Sequence, residues 1–377
     1  MFPLISLLLM TLSVVSTLAQ GGPRAELVFA GDAMQHQRQL DAARRADGTY
    51  DYSAYYETIE PYIASADYAV VNLETPLGGA PYSGYPMFCA PDSYLTSLKD
   101  AGFDLILTAN NHCLDRRDRG LRRTIETIQK AELPWVGTYC DAAQRDTIVP
   151  RMVDVNGFRL GLLNYTYGTN GIAVQGNVVV DYINRDRIRR DVERARAKGA
   201  EIVVVAIHWG EEYRLLPVQS QRTMADYLTS LGVDLIIGGH PHVIEPMEIR
   251  RNPATGRDRF LCYSLGNFVS AMRTADTRGG ALARIVLARD SAGQAIVESA
   301  TYLPVVVAPP DSQSRDYRVL PARDPNLPAS TREIRDAFMR GATRTFNRYN
   351  VRVPEDTLGM HQSRVRQLRR IFPQPGF

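Results

Sequence analysis

Residues 201–213 read EIVVVAIHWGEEY: six apolar residues, five of them β-branched, run from Ile202 to Ile207 and stop at His208. A short apolar run of this kind, bounded by polar residues, is a strand buried on both faces. The same design recurs at Ala25–Gly31, Tyr68–Leu73, Asp104–Ala109, Arg159–Tyr165, Asp234–Gly238 and Arg259–Leu265. Helical spacing lies between these runs. Leu121, Ile125 and Ile128 fall at i, i+4, i+7, as do Ile188, Val192 and Ala195, and Met224, Tyr227, Leu228 and Leu231 share one face. Strands alternating with helices predict an α/β fold with a substantially parallel sheet. Ala281–Thr301 lacks such helices and reads as a closing pair of strands around Ser291-Ala292-Gly293.

Polar residues gather where these strands end. Gly31-Asp32 follows the first, Asn72-Leu73-Glu74 closes the second, and Asn110-Asn111-His112 follows the third. His208-Trp209-Gly210 and Gly239-His240-Pro241-His242 follow two later strands, so four of the six histidines stand at strand ends. Open α/β sheets bind ligands outside the carboxyl ends of their strands, so five clusters converge on one crevice. Imidazole nitrogen, carboxylate oxygen and an amide oxygen, without thiolate, suit Zn, Mn, Fe or Mg. Two such ions clamp the attacking and leaving oxygens of a displacement and acidify water to a nucleophile. A histidine just outside the ligand set can protonate the leaving group.

The rest of the chain bounds the class. Its 377 residues suffice for one large domain, and 45% apolar with 23% charged residues excludes wholesale disorder. Lys and Arg number 44 against 41 Asp and Glu, a net charge of +3, which does not describe a dedicated nucleic-acid binder. Residues 1–19, MFPLISLLLMTLSVVSTLA, read as a signal peptide with cleavage near Ala19, or as an uncleaved leader. No cysteine stands at that point, so the chain is expected to be exported, periplasmic or at the cell surface, rather than a lipoprotein. Cys89, Cys113, Cys140 and Cys262 allow three full pairings or none. From Pro304 recurrent prolines predict a long irregular connection. Ile334 and Phe338, then Val365, Leu368 and Phe372, predict two C-terminal helices, the last rich in arginine (Arg364, Arg366, Arg369, Arg370). The organisation expected is a leader at 1–19, a main domain at 25–305, and a proline-rich connection with helices at 306–377.

The ordered series GDAM, NLE, ANNHCLD, HWGEEY, GGHPHV and YSLGNF resembles the CapA family of bacterial capsule or poly-γ-glutamate synthesis proteins, within the calcineurin-like metallophosphoesterase superfamily. The motifs span about residues 27–270. The resemblance implies a four-layer α/β/β/α sandwich of the metallo-dependent phosphatase type, with one or two divalent ions. Carried over, Asp32 and His242 are ligands of a first metal, Asn111, His208 and His240 of a second, and Glu74 takes the bridging position. His112 becomes the acid, Asp115 either orients it or starts a helix, and Glu212 and Asn267 match pocket residues that bind substrate. Met34 stands where the superfamily carries a histidine, so the first metal has one ligand fewer; His36 either replaces it or points to solvent.

The function this implies is an exported metal-dependent hydrolase of capsule or cell-envelope polymer synthesis. Its partner would be an anionic polymer such as poly-γ-glutamate, or a phosphoester substrate. The alternatives are a non-catalytic polymer-binding or scaffold subunit of a membrane synthase, and a generic secreted phosphoesterase.

Overall fold

Buried strands ending in polar loops set the architecture, which the computed structural model describes for residues 22–251 and 256–357. The first part of the chain forms β1 (Arg24–Ala33), α1 (Gln37–Ala43), α2 (Glu60–Ile63), β2 (Tyr68–Leu73), α3 (Asp92–Asp100), β3 (Leu105–Leu107), α4 (Arg117–Lys130) and β4 (Trp135–Val136). The middle adds β5 (Thr138–Tyr139), α5 (Ala142–Ile148), β6 (Arg151–Val155), β7 (Phe158–Thr166), β8 (Val179–Val180), α6 (Arg185–Ala197) and β9 (Ile202–His208). Then come α7 (Gln219–Ser230), β10 (Leu235–Gly239), β11 (Met247–Arg251), β12 (Asp258–Cys262), β13 (Asn267–Val269), β14 (Gly279–Arg289), β15 (Ala295–Ala308), β16 (Arg318–Pro321) and α8 (Ala329–Tyr349).

Fourteen of these strands build two mixed sheets, and β5 and β8 pair antiparallel apart from them. The eight-stranded sheet runs β16-β15-β14-β1-β2-β3-β4, with β13 also paired to β1, and the six-stranded sheet runs β11-β12-β10-β9-β7-β6. Each has a parallel centre, β1 to β4 in one and β7, β9, β10 and β12 in the other, with antiparallel strands at its margins. All seven expected strands are present, as is the β14–β15 hairpin.

Side-chain alternation sorts the layers. Leu27 and Phe29 of β1 face Leu162, Val204 and Ile237 of the other sheet in a shared core. Val28, one step along, instead faces Ile63, Leu98, Leu121 and Ile125 from α2, α3 and α4. On the far side Ile188, Val192, Ala225 and Leu228 of α6 and α7 cover Val203, Val205 and Ile236. The result is the expected α/β/β/α sandwich.

Beyond residue 304 the structure is more regular than its prolines imply. Strand β15 continues through Pro304 to Ala308 and pairs with β16. Pro304 stands opposite Ala281, whose own N–H is bonded to the Leu265 carbonyl, so the missing proline donor removes no bond from that pair. Helix α8 contains the expected Ile334 and Phe338, and buries Phe338, Met339, Ala342 and Phe346 in the inter-sheet core. All four cysteines are free thiols. Among the described residues no helix is long and apolar enough to cross a membrane. The expected leader at 1–19 and the arginine-rich last helix around Val365, Leu368 and Phe372 lie outside the described residues.

Candidate metal centre

The site lies at the seam between the two sheets, and each sheet supplies half of it. Strand β1 brings Asp32 to its end beside Asn72 of β2 and Asn267 of β13. A Cβ on Gly31 would lie 2.0 Å from the Gly266 carbonyl oxygen, so only glycine permits the approach in which Asp32 N–H donates to that oxygen (3.0 Å). Glu74 follows β2, its N–H donating to the Ala33 carbonyl (3.0 Å), and Asn111 and His112 follow β3. From the second sheet, His208 ends β9, and His240 and His242 occupy the turn after β10. These last two have φ of +99° and +58°, a conformation L-residues adopt at a cost and one that clusters at functional sites. Two backbone bonds hold the turn: Trp209 N–H to the Gly239 carbonyl (3.1 Å) and Tyr213 N–H to the Pro241 carbonyl (2.9 Å).

The six expected ligands are all buried and meet in one place. Glu74 Oε1 is 3.5 Å from His208 Nε2 and 3.8 Å from His242 Nε2, so it lies between imidazoles of the two ligand sets. Asp32 Oδ2 is 3.3 Å from His242 Nδ1, and Asp32 Oδ1 is 4.0 Å from His208 Nδ1. Asn111 Oδ1 is 2.9 Å from His208 Nε2. Ligand atoms of Asp32, Glu74 and His242 all fall within 4.8 Å of one another. Both oxygens of Glu74 and Nδ1 of His240 have no hydrogen-bond partner among the described residues. Leaving a buried carboxylate without donors is costly, and a cation at this position removes the cost. The donor set therefore fits a divalent ion.

Electrostatics agree with this arrangement. Burial pushes the Asp32 carboxyl up, but the His242 hydrogen bond and the charge of His208 hold it well below the usual carboxylate range. Burial pulls His242 down, yet Glu74 and Asp32 raise it to about 9. His240, buried and beside His208 and His242, is lowered to about 2 and so stays neutral, the form that coordinates metals.

His112 stands beside this set with a different set of contacts. Its Nδ1 is 2.7 Å from Asp115 Oδ2, which also accepts the Phe88 N–H at 2.7 Å. Helix α4 begins at Arg117 with no side-chain cap, so Asp115 is engaged with His112 and does not cap that helix. The Phe88 ring packs edge-on against His112, with centroids 4.6 Å apart. Asn267 Oδ1 is 3.1 Å from His242 Nδ1, and its Nδ2 donates to the Thr277 carbonyl (2.9 Å). Glu212 is exposed, and its carboxylate falls within 4.8 Å of ligand nitrogens of His240 and His242. His36 belongs to neither candidate ligand group. Its Nδ1 lies 3.3 Å from both Ala271 N and Gln39 Oε1, its ring abuts Phe88, and burial lowers it to about 4.

Several residues here are not among those expected from the sequence. Asn72 Nδ2 donates to Asp32 Oδ1 (2.8 Å), and Asn110 Nδ2 donates to Asn72 Oδ1 (3.1 Å). Both asparagines sit inside the quoted motifs. Asn164 and Asn170 come from 164–170, NYTYGTN, at the end of β7, a strand whose polar end carries no histidine or acid. Asn164 Oδ1 accepts from the N–H groups of Thr108 (3.0 Å) and Ala109 (2.7 Å), and Asn170 Oδ1 accepts from Asn111 Nδ2 (3.2 Å). At the rim, exposed Tyr167 packs at a tilt against His240 with centroids 4.5 Å apart, and exposed Tyr213 lies 6.4 Å from His242.

Comparisons with known proteins follow the same motifs. The sequence profile of the family described as bacterial capsule synthesis protein PGA_cap matches residues 26–272. The capsule biosynthesis protein CapA of Bacillus anthracis is 29% identical over 283 residues, covering 72% of this chain and 66% of that protein. The PGA biosynthesis protein CapA of Bacillus subtilis (strain 168) is 29% identical over 279 residues, covering 71% of this chain and 68% of its own length. The chain thus spans about two thirds of the length of these relatives. Among solved structures, NAD nucleotidase (NadN) of Haemophilus influenzae superposes with a TM-score of 0.45 at 11% identity, covering 91% of this chain and 66% of that one.

Proposed function

This chain belongs to the bacterial capsule synthesis protein family PGA_cap, and from that premise we propose that it is an exported, divalent-metal-dependent hydrolase of capsule or poly-γ-glutamate synthesis. The observation that carries the catalytic reading is His112. It lies beside a buried ligand set and is hydrogen-bonded through Nδ1 to Asp115, which leaves Nε2 to exchange a proton with substrate. A merely structural metal site has no need of such a pair.

The roles follow from position. Asp32, Glu74 and His242 would hold one ion, Asn111, His208 and His240 lie where they would hold a second, and Glu74 stands between the two sets. When bound, such ions supply Lewis-acid stabilisation of developing oxyanion charge and a nucleophile at neutral pH. Asn267 fixes the ring of His242, and Asn72 and Asn110 fix Asp32. His112 gives its proton to the leaving group while Asp115 holds the imidazole in orientation. The bond broken is an amide of a γ-glutamyl polymer or a phosphoester. The names of the two relatives, capsule biosynthesis and PGA biosynthesis, favour the polymer. Residues 1–19 support export.

One residue favours a second reading, a non-catalytic polymer-binding or scaffold subunit: Met34 offers no donor suited to a hard ion beside Asp32. The test separates the two. Mature protein is reconstituted with manganese or zinc, desalted, and its metal content measured by mass spectrometry, followed by assays on phosphoesters and γ-glutamyl polymer. His112→Ala should keep the parent metal content while hydrolysis falls roughly 10²–10⁴-fold. Metal loss in that variant contradicts the acid role, and a parent protein that binds no metal and hydrolyses neither substrate leaves the scaffold reading standing.

A further inference from the structure

We infer that Glu212 is a metal ligand, supplying from the loop after β9 an oxygen donor beside His240 and His242. The inference rests on the metal centre proposed above and adds to it a residue whose resemblance points only to substrate binding.

Three observations carry it. First, the Glu212 carboxylate and ligand nitrogens of His240 and His242 all lie within 4.8 Å of one another, and His242 also belongs to the group formed with Asp32 and Glu74. The two groups therefore join through one imidazole, and Glu212 extends the same cluster toward solvent. Second, Nδ1 of His240, a residue 3% exposed, has no hydrogen-bond partner among the described residues. A buried ring nitrogen beside two other ligand side chains and left unbonded is a position a cation satisfies. Third, the loop that carries Glu212 is fixed at both ends. Trp209 and Tyr213 donate backbone bonds to Gly239 and Pro241, in the turn that carries the histidines. Between them Gly210, at φ +89°, packs so closely on Gln221 that a Cβ there would lie 2.6 Å from its amide carbon. The backbone that carries Glu212 is thus fixed beside the histidines, although its side chain is exposed.

Ligand chemistry decides why this donor is needed. Asp32, Glu74 and His242 give the first ion three protein donors, and a thioether at position 34 is too soft to serve Mn or Mg. An oxygen from Glu212, which neighbours His242 of that set, would add a hard donor of the kind that Zn, Mn or Mg accepts. Glu211, its neighbour, is instead ion-paired with Arg214 at 3.2 Å and belongs to neither group.

The test is titration of the metal-free full chain with Mn²⁺ by calorimetry, together with the visible spectrum of the cobalt-loaded protein, which reports ligand number independently of turnover. Glu212→Gln is expected to raise the dissociation constant of the weaker ion at least about tenfold and to change the cobalt bands. Glu211→Gln should do neither. Parent-like manganese binding and cobalt bands in Glu212→Gln overturn the assignment and return Glu212 to substrate binding, with the metal centre intact. Equal losses in Glu211→Gln and Glu212→Gln also overturn it, since charge alone then explains them. A parent chain that takes up no ion overturns the metal centre and this inference together.

Discussion

Glu245 lies fully buried with Oε2 accepting from Gln221 Nε2 at 2.6 Å and Oε1 without a hydrogen-bond partner among the described residues. Burial raises its carboxyl to about 8, and the Gln221 bond only partly opposes this. The folded state therefore holds a proton that the unfolded chain releases near pH 4.5. The resulting stability is fully present below pH 4.5 and is lost as pH rises toward 8 and beyond, on the order of 4 kcal/mol in all. Denaturant unfolding of the parent and of Glu245→Gln from pH 4.5 to 9 should show the difference between them shifting in favour of the variant as pH rises; a constant difference contradicts the protonated carboxyl. Asn164 makes a second prediction at this scale. Its Oδ1 accepts the Ala109 N–H and shares the Thr108 N–H with the Val136 carbonyl, so Asn164→Ala strands the Ala109 donor and should destabilise by about 1–3 kcal/mol. A loss under about 0.5 kcal/mol would mean that water replaces the amide. The acids and histidines of the site were legible because few other roles suit them at the ends of apolar strands. Asn72, Asn110, Asn164 and Asn170 were not, because asparagine at a strand end is also the ordinary residue of a turn.

Elements were legible in proportion to their length and periodicity. The apolar runs of β1, β2, β7, β9 and β10 and the i, i+4, i+7 faces of α4 and α6 could be read without a structure. Strands β4, β5 and β8 span two residues each, too few for any period to appear. The stretch after Pro304 does not read as a strand because proline ordinarily ends one, whereas here its missing N–H falls where that strand pair makes no bond. Helix α8 was visible as a helix, but its burial in the inter-sheet core was not, since its partners lie far away in sequence. That burial has a measurable consequence. Phe338 is 1% exposed and Phe346 packs on Tyr302 with centroids 4.1 Å apart. Phe338→Ala should cost about 3–5 kcal/mol in chemical unfolding. An independent C-terminal extension would instead show almost no change in the unfolding of the main domain.

At the scale of the whole molecule the two sheets meet through an apolar core along most of their area and through the ligand set at one edge. Ions that bind the folded state alone stabilise it by mass action, about 2.7 kcal/mol at a hundredfold excess over the dissociation constant. Removing metal with a chelator should lower the melting temperature by several degrees, and adding manganese back should restore it. Identical melting curves with and without metal would mean that no ion enters this set. Asp32, Glu74 and Asn111 come from one sheet and His208, His240 and His242 from the other, so the centre spans a joint. In mechanical terms an ion there is a rivet through two plates. Any slip of one plate over the other is resisted at that point, and a force that shears the plates loosens the rivet's grip.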